Sequence, residues 1–173
     1  TFEKLRFEED QLFKILEQGR DLAEIGDCEN ALPFYSDFMS KTSPNRLIQK
    51  EYGDVLSCAK RYDEAIQVYS TLIDEDYDFN IDLERAKAYL WSGDSLKAIS
   101  EFERLKEQEP NDFLLNLFLG DAYQATGQYK KARKTFESLL LFPDIDSTQK
   151  SLVEQRLNWL PATGLASFLV KFP

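Results

Sequence analysis

The chain has 173 residues, 21 Lys+Arg against 31 Asp+Glu, two cysteines, one methionine and no histidine, for a formal net charge of -10. Without histidine there is no Ser-His-Asp or Cys-His nucleophile, no imidazole base and no His-containing metal site, and two thiols cannot make a four-thiolate site, so neither metal nor cofactor is expected. The acid excess argues against binding nucleic acid, which needs a concentrated basic face, while 43% hydrophobic and 30% charged residues describe an ordered, water-soluble chain.

The first segment, 1–11, carries Phe2, Leu5 and Phe7 and either extends the helix that follows or is the remnant of a preceding one. Residues 12–45 contain Gly19 and Leu22, a Gly26-Asp27 turn, then Ala31 and Tyr35; Pro33 predicts a bend or late start in the second helix. Ser43-Pro44, a cap with proline at the first helical position, leads into residues 46–78, which repeat the order with Gly53 and Leu56, a Lys60-Arg61 turn, Ala65 and Tyr69. Residues 79–112 give Ala86 and Tyr89, Gly93-Asp94, Ala98 and Phe102; Asn111 or Asp112 then caps 113–146, with Gly120 and Tyr123, Gly127-Gln128, Ala132 and Phe136. The last segment, 147–173, opens on Asp146 and Gln149 as a capping box and has Leu152, Val153, Leu157 and Leu160 on the apolar side of a helix that would cover the end of the array. Its tail at 165–170 is too apolar for a solvated end, but far shorter than the ~18 residues of a membrane span, so no direct membrane insertion is expected.

The alanines at 31, 65, 98 and 132 recur at intervals of 34, 33 and 34, each with an aromatic four residues on and a Gly or Ala twelve residues back. Each unit therefore reads as two amphipathic helices in close contact, the small residues letting the backbones approach beside an aromatic ring. This pattern resembles the tetratricopeptide repeat (TPR) family, most clearly in Leu119-Gly120-Asp121-Ala122-Tyr123, Gly127 to Ala132, and Phe136. It departs from the family where a tryptophan is usual, with Ile15, Gln49, Asp82 and Asn116 in that place, and at a late alanine, where Phe38, Leu72, Leu105 and Leu139 stand; more aliphatic contacts between repeats are expected.

The resemblance implies an all-α, right-handed superhelical solenoid whose concave groove is built from the first helix of each pair. Facing that groove it places Leu16 and Arg20, then Lys50 and Asp54; the third and fourth units add Leu83, Lys87 and Trp91, then Leu117, Asp121 and Gln124. Phe13, Leu47, Asn80 and Leu114 lie on the same stripe. Such a mixed surface suits a basic or amphipathic protein partner, extended or helical, with Leu16, Leu83, Trp91 and Leu117 supplying apolar area. Trp91 is the strongest candidate anchor, unless it packs between units three and four. Binding should change little between about pH 6 and 8 in a chain without histidine.

Other features have blander readings. Some family members clamp a terminal carboxylate with Lys and Asn; Arg20, Lys50 and Lys87 lack the asparagines, and Glu51 and Asp54 intervene. The 74–80 stretch mimics a calcium loop but has Phe79 where glycine is needed and Arg85 in place of the closing Glu, so an acidic turn is expected. Cys28 and Cys58 fall at the same edge of the stack; a disulfide is geometrically open in an oxidising compartment, with two unlinked thiols the simpler expectation. No Gly-rich phosphate loop or nucleophile elbow accompanies the carboxylates, which excludes the usual enzyme signatures.

The expected role is that of a non-enzymatic interaction scaffold. The alternative, from a weaker likeness of Trp91-Ser92-Gly93 to repeats of bacterial exopolysaccharide-export or secretion proteins, is a structural segment of a cell-envelope assembly. The compartment would be cytoplasmic in the first case and periplasmic in the second, and exposed ends of the array could also associate. Thr1 at the start and Met39 as the one methionine read as a processed chain or a piece of a longer one.

Overall fold

The computed structural model describes residues 2–161, with side chains from Asp10 onward; the apolar tail at 165–170 and the side chains of Phe2, Leu5 and Phe7 lie outside the described residues. All regular structure among the described residues is helical, and the chain divides into two compact units between Ser92 and Gly93.

The first unit holds α1 (Phe2–Glu24), α2 (Cys28–Lys41), α3 (Arg46–Cys58), α4 (Tyr62–Glu75) and α5 (Phe79–Ser92), each packed on the next. Residues 2–11 extend the first helix. Pro33 lies inside α2, which nevertheless begins at Cys28 and so does not start late. Ala31 and Ala65 are fully buried, as are Tyr35 and Tyr69. A Cβ on Gly53 would lie 2.7 Å from Tyr69 Cε1. The small residue of the first helix is thus the seat for the ring of the second, which fixes the spacing read in the sequence.

Paired helices are joined through one left-handed residue, Gly26 at φ 81° and Lys60 at φ 61°. The amide of the next residue closes the cap: Asp27 N–H donates to the Leu22 carbonyl at 2.9 Å and Arg61 N–H to that of Leu56 at 2.8 Å. Lys60 is the one non-glycine residue with positive φ among the described residues, and its Cβ opposes that conformation. Lys60→Gly is expected to stabilise the chain by about 1 kcal/mol. A higher urea midpoint at constant slope would register this, and an unchanged or lower midpoint would contradict it.

The second unit holds α6 (Ser95–Lys106), α7 (Phe113–Ala125), α8 (Tyr129–Leu139) and α9 (Ser147–Trp159). Ala98, Phe102, Ala132 and Phe136 are fully buried, and α9 packs on α8 with Val153 inward. Asp112 caps α7 by accepting the Leu115 N–H at 2.7 Å, and the Asp146/Gln149 capping box opens α9. The α3 cap differs from expectation. Asn45, not Ser43, accepts the Ile48 N–H at 3.1 Å, so Pro44 precedes the cap instead of starting the helix.

Three of the positions that lack the family's tryptophan make polar contacts. Gln49 Nε2 donates to the Pro44 carbonyl at 2.9 Å, and Asn116 Nδ2 to the carbonyls of Pro110 and Asp112 at 2.9 and 2.8 Å. Buried Asp82 meets Arg85 at 2.8 Å. At Gln49, Asp82 and Asn116 a hydrogen bond or ion pair thus stands where an indole is usual.

Candidate functional site

The first unit contains an open pocket of about 400 Å³ whose walls come from three consecutive helices. α3 supplies Lys50, Asp54 and Ser57, α4 supplies Tyr62 and Tyr69, and α5 supplies Glu84 and Trp91, with Cys58 at the edge. Helical spacing brings them together: Lys50, Asp54 and Ser57 fall at i, i+4 and i+7, as do Glu84, Lys87 and Trp91 at i, i+3 and i+7.

The charges of this pocket are already engaged. Lys50 Nζ lies 2.7 Å from Asp54 Oδ2, while Tyr69 donates its hydroxyl to Asp54 Oδ1 at 2.9 Å. Burial, with Asp54 adding to it, pushes the Tyr69 phenol far above its ordinary range, so it stays a donor. Lys87 Nζ lies 2.7 Å from both Glu84 oxygens and 5.5 Å over the centre of the Trp91 ring. Trp91 is 44% exposed, its ring 6.2 Å from that of Tyr62 at a 42° tilt. Ser57 is 8% exposed and its Oγ, though in the pocket wall, has no hydrogen-bond partner.

Arg20, Asp54, Lys87 and Asp121 occupy one repeat position with alternating sign, and every one of them is ion-paired within the chain. Arg20 grips Glu51 through two bonds at 2.9 and 3.1 Å, which holds its guanidinium even more firmly protonated than usual. In the second unit Arg156 of α9 meets Asp121 Oδ1 at 2.9 Å and lies 5.2 Å over the Trp159 ring. Burial pushes the Asp121 carboxyl up while Arg156 pulls it back. Gln124 shares a shallow pocket with these groups.

Leu16, Leu83 and Leu117 require a correction. They are 0, 6 and 3% exposed and so offer no apolar area to a partner. The position three residues earlier is the exposed one: Phe13, Leu47 and Leu114 are all about half exposed or more. Leu16 sits in the core cluster of the first unit, and α7, which carries Leu117, packs on both α6 and α8 and leaves only a narrow arc free. Sequence reasoning missed Tyr62 and Glu84 in the pocket and Arg156 and Trp159 beside Asp121. Glu84 three residues before Lys87, and Arg156 three before Trp159, were the available signals.

Cys28 and Cys58 are joined in a disulfide with Cα atoms 5.8 Å apart, which corrects the expectation of unlinked thiols. The first residue of α2 and the last of α3 meet at one edge because both abut the turns. The acidic 74–80 stretch acts as a cap, Asp78 Oδ1 accepting the N–H groups of Asn80 and Ile81 at 2.8 and 3.3 Å. No described helix is long and apolar enough to cross a membrane.

Helix pairs repeated at this interval, each seating an aromatic ring on a small residue, define an all-α helical-repeat protein. The model of the tetratricopeptide repeat family matches residues 89–155. No curated protein matches the sequence. Among solved structures, a tetratricopeptide repeat protein from Parabacteroides merdae is 20% identical with a TM-score of 0.64, over 86% of this chain and 59% of that one. This chain thus spans less than two thirds of that protein's length. MamA from Desulfovibrio magneticus RS-1 is 15% identical with a TM-score of 0.65, over 85% and 84% of the two chains. The second TPR domain of human RPAP3, in complex with an HSP70 peptide, is 20% identical with a TM-score of 0.54, over 62% and 91%.

Proposed function

We propose that the chain is a non-enzymatic protein-interaction scaffold, its four repeats at 12–45, 46–78, 79–112 and 113–146 followed by the segment 147–173 with its capping helix, and that a partner peptide or helix docks on the Trp91 pocket. The observation that carries this reading is the half-exposed indole in a pocket walled by three consecutive helices. Large aromatic side chains with free area and nearby fixed charges are the usual anchors of protein interfaces. The peptide-bound human RPAP3 domain supports it as an example of the same fold at work. Leu47 and Phe13 are further exposed apolar side chains of the same unit. A Trp91→Ala/Lys50→Ala variant is expected to lose the partners that the wild-type chain captures from its native extract, with helical content unchanged by circular dichroism. Identical partner sets from the two would overturn the reading.

A second reading is favoured by one observation. The Cys28–Cys58 disulfide suits an oxidising compartment, as expected of a segment in a cell-envelope assembly. Fractionation of the native cells distinguishes this from a cytoplasmic scaffold.

A further inference from the structure

The pocket carries more information about its partner than exposure alone. The rings of Tyr62 and Trp91 carry negative potential on their faces, and beside them stand Asp54, paired with Lys50, and Glu84, paired with Lys87. The unit that contains it, residues 1–92, has 11 Lys+Arg against 20 Asp+Glu, whereas residues 93–173 have 10 against 11. Nearly all of the chain's acid excess therefore belongs to the unit that holds this pocket, which favours a cationic visitor by attraction over several ångströms. The Trp91 face already holds a cation, the Lys87 ammonium, shared with both oxygens of Glu84. The buried Ser57 hydroxyl in the same wall has no hydrogen-bond partner, an unmet acceptor at the pocket's inner side.

We propose that the Trp91 pocket is a receptor for one arginine or lysine side chain of a basic protein partner, and that Lys87 is its resident competitor. The inference rests on the scaffold reading above and specifies its partner chemistry. A ligand cation replaces the Lys87 ammonium over the indole and beside Glu84, while Ser57 Oγ takes one of its N–H groups. The displaced Lys87 turns to solvent. The site is thereby selective: a neutral side chain cannot compete with an internal ammonium, and an anion would meet Glu84 stripped of its Lys87 partner, while Asp54 stays balanced by Lys50.

The test uses the full chain and three blocked, fluorescently labelled peptides of leucine, serine and glycine that differ at one central residue: arginine, its neutral isostere citrulline, or glutamate. Binding by anisotropy should be at least ~tenfold tighter for arginine than for citrulline, the scale of a desolvated cation–π contact. Trp91→Ala should remove that preference, and Trp91→Phe should reduce it. Lys87→Met should tighten arginine-peptide binding several-fold beyond Lys14→Met, which removes the same charge from the exposed face of α1. Equal binding of arginine and citrulline, no binding of the arginine peptide, or no gain in Lys87→Met over the Lys14 control would overturn the proposal. A preference for the glutamate peptide that Lys87→Met abolishes would overturn it too, while leaving the scaffold reading intact. Loss of the scaffold reading shows separately, in the partner capture from native extract.

Discussion

Reduction of the Cys28–Cys58 bond, or replacement of both residues by serine, should lower the stability of the first unit by about 3 to 4 kcal/mol. The bond spans 30 residues and closes a loop that contains all of α2 and α3. A cross-link of that span removes conformational freedom from the unfolded chain, which is where most of its effect arises in the entropic account. The same helix pair is also held by buried Leu32, Tyr35 and Phe38 against Ile48, Val55 and Leu56, so the reduced chain should remain folded. The expected result is a melting temperature of that unit roughly 12 to 30 °C lower with unchanged helical content at about 20 °C. The intact chain should weigh two hydrogen atoms less before reduction than after it. Equal melting temperatures for the two forms, or equal masses, would contradict the prediction.

The repeat itself was legible because packing writes it. Wherever the second helix places an aromatic ring, the first must supply a residue without bulk, and Gly19, Gly53, Ala86 and Gly120 stand at that offset. The turn was legible for the same kind of reason, since a left-handed residue is needed and Gly26, Gly93 and Gly127 supply it. Lys60 shows that the position is set by the cap and merely preferred by glycine.

The groove was less legible. A stripe at i, i+3 and i+7 marks one side of a helix but not how wide an arc its neighbours leave open. Leu16, Leu83 and Leu117 share one repeat position with Lys50, and only the lysine of the four is not buried. The charged position, by contrast, was assigned to partner recognition when each of its members already had a partner of its own. Arg20 and Asp121 find theirs in Glu51 and Arg156, one helix or more away, and sequence spacing alone carries no sign of such pairs.

The disulfide fell between these cases. The two cysteines could be placed at one edge of the stack from the repeat, but whether their Cα atoms approach within bonding range depends on the packing of α2 on α3, which the spacing does not encode.

Gly120→Val should be the most damaging single substitution in the second unit, costing about 3 kcal/mol or more. A Cβ at residue 120 would fall 2.8 Å from both Cδ1 and Cζ of Phe136, and closer still to Cε1. Phe136 is fully buried, so its ring has nowhere to turn, and relief would require α7 and α8 to separate. Helix propensity opposes the loss only weakly: Gly in a helix interior is worse than Ala by roughly 1 kcal/mol, and valine regains less than alanine. Two further variants isolate the cause. Gly120→Ala should be milder than valine but still destabilising, because the clash outweighs the propensity gain. Phe136→Leu costs volume in the core by itself, yet in its background the Gly120→Ala penalty should shrink by about 1 kcal/mol, the signature of two residues in direct contact. Urea unfolding of the wild type, the two single variants and the double variant measures this coupling. A Gly120→Ala variant as stable as the wild type, or penalties that simply add, would mean that the ring and the glycine do not set one another's place, and close packing of ring on glycine would fail with them as the physical cause of the repeat spacing.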